Sequence, residues 1–284
     1  MSLPGLASKA VTWAASFRPV RAAARAVFSL LTPGHDIKVS FPGYSIFVRT
    51  PDRLIAALLC KHSMAGGLEA EIYRSRVKPG MTVAEIGANV GFFTLLFSGL
   101  AGPAGRVLAF EPDPENFRLL EKNAAANGRA NISCRRAAVA DRAGTLKLYL
   151  SGENRGDHRV YDCGDGRPCV ETPAVSLDGE LGPGGKADFI KIDIQGAEYK
   201  ALLGMEAVIR NSPALAMLCE FTPGLIRRAG DSPELLLEKL QGYGFSLSYL
   251  DEEAGRVRPA SPAELLALCP GEKYVNLLLE KKPA

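Results

Sequence analysis

A chain of 284 residues is long enough to bury a full hydrophobic core as one large domain with attachments. Its composition, 47% hydrophobic and 23% charged, excludes disorder along the whole length. A net charge of +3 is too small to argue for nucleic acid as a partner, so a small-molecule or saccharide partner is expected.

Residues 1–33 carry Lys9, Arg18, Arg21 and Arg25 among Val11, Trp13, Phe17, Val20, Val27, Phe28 and Leu31, with no acid. They read as basic amphipathic helices, and no apolar run here is long enough to span a bilayer. Three readings stay open. These are packing on the main domain or on a second subunit of a homo-oligomer, lying on a membrane surface against anionic lipid, and an organelle presequence. Residues 34–76 form a lead-in. IKVSFPGYSIFVRT predicts a hairpin about Pro42 and Gly43, and a helix is expected from Arg53 toward Lys61.

From residue 77 to 284 strands and helices alternate. TVAEI, RVLAF, ISCRRAAV, DFIKIDI and ALAMLCEF read as mostly buried strands. Asp113 with Pro114, and Ser232 with Pro233, mark the starts of two helices between them. The alternation predicts an α/β fold with a doubly wound, mostly parallel sheet, and the tail segments FSLSYL and KYVNLLLE predict an antiparallel edge. Residues 144–178 break the pattern: two strands surround the polar, Gly-rich SGENRGDHRVYDCGDGRPC, a candidate substrate flap. The six cysteines lack the paired short spacings of a zinc site, no metal is expected, and a reducing cytoplasm suits them, with membrane-peripheral placement if residues 1–33 lie on lipid.

Chemistry is expected where the first strand turns into its helix, AEIGANVGFF. Gly87 and Gly91 let the backbone take positive dihedrals and let a ligand approach. The spacing is G-x-N-x-G with Asn89 in the middle, not the dinucleotide G-x-G-x-x-G. Glu85 before the turn repels a pyrophosphate and attracts the ammonium of an amino acid, which favours a cationic cofactor. The second strand ends in FEPDP, where Glu111, with Pro112 beside it, is placed to accept the hydroxyls of a ribose. Asp141 after the third strand suits an adenine amino group, or a loop cap for Arg142 to Gly144.

With these motifs in order, the chain resembles the FkbM family of methyltransferases over roughly Glu69 to Val208. The resemblance rests on KPGMTVAEIGANVGFFTL, LAFEPDPENFRLLEKNAAANG, AAVADRAGTLKLYL, VSLD at Asp178 and FIKIDIQGAEYKALLG. It implies a class I methyltransferase (Rossmann-like) sheet with a reversed hairpin at its end, S-adenosylmethionine as donor, and a hydroxyl acceptor on a sugar or natural product. Glu85 stands where the family often has Asp, and Gln195 where Glu is frequent.

In FIKIDIQGAE the residues Lys191, Asp193 and Gln195 alternate onto one face. Transfer to a hydroxyl needs a base, and Asp193 is the first candidate, also beside the cofactor, with Lys191 orienting the acceptor or balancing the carboxylate. A structural salt bridge is the alternative for that pair. His158 in the flap is a second candidate base or a solvated loop side chain. The competing functions are a non-catalytic scaffold or assembly factor on the same fold and, on weaker ground, an NAD-dependent dehydrogenase.

Overall fold

The computed structural model describes residues 36–41, 43–49, 67–152 and 154–281. The basic helices of 1–33 and the helix expected from Arg53 lie outside them. The chain divides into two compact units, Met1–Ala65 and Gly66–Ala284. In the first, strands β1 (Asp36–Phe41) and β2 (Tyr44–Arg49) pair antiparallel, closing with Phe41 opposite Tyr44. Gly43 takes the positive φ that such a tight turn needs.

The second unit opens with helix α1 (Leu68–Arg76), which therefore belongs with the sheet and not with the lead-in. Its Tyr73 is fully buried and meets Phe97 and Phe189 edge-on, at 4.8 Å and 5.8 Å between ring centres. Each such pair contributes about 0.5–1.5 kcal/mol beyond burial. Then follow β3 (Thr82–Ile86), α2 (Phe92–Ala101), β4 (Arg106–Phe110), α3 (Pro114–Ala126) and β5 (Ile132–Arg135). Asp113 caps α3 by accepting from the Asn116 amide at 2.8 Å.

The ISCRRAAV run is not one strand. β5 is only half-buried and ends at the exposed Arg135; Arg136 is exposed as well, and the chain resumes as β6 (Ala138–Val139) in another sheet. There β8 (Cys169–Val175) pairs parallel to β6 and antiparallel to β7 (Gly144–Tyr149), forming the body of the flap. Helix α4 (Leu177–Leu181) returns the chain to the main sheet at β9 (Phe189–Ile192), followed by α5 (Glu198–Leu203), α6 (Glu206–Asn211) and β10 (Ala216–Phe221). The rest comprises α7 (Pro223–Arg228), α8 (Pro233–Gly242), β11 (Phe245–Asp251), β12 (Arg256–Pro259), α9 (Pro262–Leu268) and β13 (Val275–Lys281).

The main sheet runs β12-β11-β13-β10-β9-β3-β4-β5. Strands β5, β4, β3, β9 and β10 are parallel, whereas β13 is antiparallel to both of its neighbours. The tail thus supplies the antiparallel end of the sheet, as expected, with β13 set inside it. Leu277, Leu278 and Leu279 bury both faces of β13, as an interior strand requires, and the edge falls to β12, whose Arg256, Arg258 and Pro259 discourage further pairing. Apolar clusters cover both faces: Ala84, Ile86 and Ile190 on one, Val83, Phe97 and Phe189 on the other. The winding direction reverses between β3 and β9, which is where ligands bind in such sheets. Among the described residues no helix is long and apolar enough to cross a membrane.

Candidate active site

At that reversal lies a cavity of about 80 Å³. Gly87, Asn89, Glu111, Pro112, Asp193 and His158 all border it, so six of the residues singled out in the sequence converge there. Glu85, Gly91, Asp141 and Lys191 do not.

The turn after β3 is held by its neighbours. Gly87 has φ +87°, and a Cβ there would sit 2.0 Å from the Asp193 carbonyl oxygen. The glycine thus makes room for the adjoining backbone of the strand-to-helix turn after β9, and that closeness brings Asp193 to the cavity. Gly91 begins α2 in the left-handed region, and a Cβ there would press on Leu120 at 2.8 Å; its requirement is packing. Asn89, at φ 52°, also takes the left-handed conformation, which Asn tolerates better than most residues. Its amide donates to Glu111 Oε2 at 2.8 Å. Asn123 Nδ2 donates to the Val90 carbonyl at 2.7 Å and fixes the turn from α3.

Glu85 was expected to face the ligand, but it is 1% exposed and lies beneath the turn. Its Oε2 accepts from the Thr94 hydroxyl at 2.5 Å, Oε1 is buried with no hydrogen-bond partner, and Lys191 stands opposite it in the β3–β9 ladder. Burial pushes its carboxyl up to about 7, with Lys191 and Thr94 opposing. Lys191 is buried too, 3.2 Å from Asp193 Oδ2 and 5.1 Å over the Phe93 ring. Burial lowers its pKa, but Asp193 and Glu85 more than offset this and hold the ammonium above its ordinary range. Lys191 acts on the site through Asp193.

Glu111 is buried at the cavity wall. Its Oε1 accepts from the Asp113 amide at 3.0 Å and from Asn116 Nδ2 at 3.3 Å. A carboxylate has about four acceptor positions, so one stays open on Oε2 beside the Asn89 amide. Next to it Asn116 Oδ1 is buried, borders the cavity and has no hydrogen-bond partner. Two acceptors on residues that both line the cavity suit a pair of hydroxyl donors, whereas the sequence had assigned both to Glu111. Burial pushes the Glu111 carboxyl up to about 7 against its backbone donors. Asn116 was missed in the sequence; the available signal was two asparagines, 116 and 123, on the buried face of α3 beside Leu119 and Leu120.

Asp141 stands apart. The Ala140 carbonyl packs where a Cβ on Gly204 would fall 1.9 Å away, and Asp141 turns outward, 3.9 Å from Arg142. The wall expected to carry it is instead Phe110, Ala138, Val139 and Leu148, an apolar surface.

Gln195, also left-handed at φ 55°, donates from Nε2 to Asp193 Oδ1 at 3.1 Å and to Glu220 Oε1 at 3.0 Å. Burial and Asp193 raise Glu220 above the ordinary carboxyl range. Glu198 Oε1 accepts from the Gly196 amide at 3.0 Å, and burial pushes this carboxyl up to about 7. His158 closes the cavity from the flap. Its Nδ1 accepts from the Ser151 amide at 2.9 Å, which occupies the lone pair a base would use, and Nε2 lies 3.7 Å from Asp113 Oδ2. This geometry makes it an anchor of the flap.

A family model described as the methyltransferase FkbM domain matches residues 85–247, from Glu85 in the first strand of the site to β11. The chain belongs to the FkbM methyltransferase family. The FkbM match covers every element that borders the cavity, and the sheet order with reversed β13 is the class I arrangement that the resemblance implied. The chain is 29% identical over 164 residues to the 31-O-demethyl-FK506 methyltransferase FkbM of Streptomyces tacrolimicus, covering 46% of this chain and 61% of that one. It is 27% identical over 156 residues to the methyltransferase sdnD of Sordaria araneosa, covering 44% and 60%. These matches span about three fifths of each relative's length. Among solved structures it is similar to a methyltransferase FkbM from Methylobacillus flagellatus KT, at 16% identity and TM-score 0.43 over 80% of this chain and 54% of that one. The methyl donor implied for the FkbM family, S-adenosylmethionine, fits the walls in chemistry: two open acceptors for a ribose diol, and an apolar surface for a flat base.

Proposed function

We propose that this chain is an S-adenosylmethionine-dependent methyltransferase that methylates a hydroxyl group of a saccharide or natural product. The observation that carries the reading is the pair of open, buried acceptors on Glu111 and Asn116 at the sheet's reversal point. Bound S-adenosylmethionine supplies an electrophilic methyl group on a sulfonium. Glu111 and Asn116 would hold its ribose, and Phe110, Val139 and Leu148 its base. Asp193 would take the proton of the acceptor hydroxyl. Both of its oxygens already accept one hydrogen bond, from Lys191 and from Gln195, which aims the carboxylate and leaves a second acceptor position on each. Lys191 would hold the carboxylate in place from below, through its 3.2 Å contact with Oδ2.

The test supplies methyl-tritiated S-adenosylmethionine with fractionated glycan and metabolite extracts. Label that enters a neutral product and survives alkali is an ether on a hydroxyl, the expected result. Label released by alkali is a carboxyl ester and would overturn the acceptor assignment.

A further inference from the structure

The donor cavity is too small for its ligand as it stands: about 80 Å³, against the roughly 300 Å³ or more of an ordinary small-molecule site. The floor cannot widen, because Ile86 and Phe110 lie in fully buried parallel strands and Gly87 is already in contact with the Asp193 backbone. The roof is different. Arg155, Gly156, His158 and Val160 come from one short flap segment, Asn154–Tyr161.

This segment is built to move as a piece. Its own bonds stay intact when it lifts: the Gly156 amide donates to Asn154 Oδ1 at 3.0 Å, the Asp157 amide to the Asn154 carbonyl at 2.9 Å, and Arg159 clamps the Asp157 carboxylate, which Arg167 of the following flap loop holds from outside the segment. The Tyr149–Arg159 bridge joins it to β7. Among the described residues its polar ties to the floor pass through side chains. Asn116 Nδ2 donates to the Arg155 carbonyl at 3.2 Å, His158 faces Asp113, and the Tyr161 hydroxyl donates to the Gln195 carbonyl at 2.9 Å. The last tie reaches the acceptor side. Gln195 holds a left-handed backbone that few residues adopt, and its amide is aimed at both Asp193 and Glu220.

We infer that Asn154–Tyr161 is a lid that lifts to admit the donor, and that Tyr161 is a positioning residue whose hydroxyl latches the lid to Gln195, setting the Asp193 carboxylate only when the lid is down. The inference rests on the donor site proposed above. Lifting the lid breaks these ties to the floor and frees the Gln195 turn; lowering it restores the turn and the aim of the amide together.

The experiment follows association of S-adenosylhomocysteine by stopped flow, with hydrogen exchange of the lid amides as a second reading, in the wild-type chain and in Tyr161→Phe. In the wild type the observed rate should level off with ligand concentration, since opening limits entry, and bound ligand should slow exchange of the Asn154–Tyr161 amides. Tyr161→Phe removes one neutral hydrogen bond, so the open fraction and the limiting rate should rise roughly fivefold, with faster lid exchange in the free protein. A rate that stays linear with concentration and is equal in both proteins, with lid exchange unmoved by ligand, overturns the lid while leaving the donor site standing. Failure of the wild type to bind S-adenosylhomocysteine overturns both. Exchange of the lid in the wild type needs no variant and decides the question should Tyr161→Phe fold poorly.

Discussion

Replacing Glu111 by glutamine exchanges one carboxylate oxygen for an amide group of nearly the same size. The remaining oxygen can satisfy the Asp113 amide and Asn116, as Oε1 does now. The new amide then faces the Asn89 N–H, which loses its 2.8 Å acceptor. A buried donor left unsatisfied costs about 1–3 kcal/mol, so the melting temperature should fall by roughly 2–12 °C for a domain of this size. Affinity for S-adenosylhomocysteine falls further, because a ribose hydroxyl loses a charged acceptor worth about 1.5–3 kcal/mol, or roughly 10- to 150-fold. Calorimetric titration measures the affinity and thermal denaturation the fold. A folded Glu111→Gln protein binding within twofold of the wild type would refute the placement of the ribose.

Gly87→Ala should destabilise the chain by about 2–6 kcal/mol, since its Cβ would lie 2.0 Å from the Asp193 carbonyl oxygen at a φ that side chains resist, whereas Gly128→Ala, with open space around it, should cost about 1–2 kcal/mol; melting curves compare them. Asp193→Asn should keep S-adenosylhomocysteine affinity within a few-fold while methyl transfer to a responsive extract drops by about 10²- to 10⁴-fold, and an active variant would remove Asp193 as the base. Glu85, Glu111 and Glu198 have folded pKa values near 7, above the 4.5 of an ordinary Glu. The folded state therefore binds more protons between those values, and the stability they contribute is present below about 4.5 and lost as pH rises through about 7. The melting temperature should accordingly fall between pH 5.5 and pH 8, and a rise across that interval, measured by calorimetry, would contradict their burial.

Much of the sheet was readable because most of the parallel strands are short, mainly apolar runs and the helix starts carry Asp113 and Ser232. The place of β13 was not, because its three consecutive leucines fit a buried interior strand and nothing in Lys273–Glu280 says which neighbours it will pair with. At the site, the pattern AEIGANVG located the turn but misjudged Glu85, whose surroundings include Lys191 of the paired strand β9, far along the chain, and Thr94 in the first turn of α2. Asp141 and His158 were misjudged for a related reason. Their surroundings are set by the flap sheet, by Gly204 and by Ser151, contacts that no local spacing encodes. Asn116 and Gln195 owe their roles to tertiary geometry, although Asn116 on a buried helix face was a visible anomaly.

The most direct measurement is calorimetric titration of the wild-type chain with S-adenosylhomocysteine and, separately, with NAD. Saturable binding of S-adenosylhomocysteine at one site per chain, with no response to NAD, is expected of the Glu111 and Asn116 acceptors at the end of β4. Saturable NAD binding with no response to S-adenosylhomocysteine would contradict the donor assignment on which the rest depends.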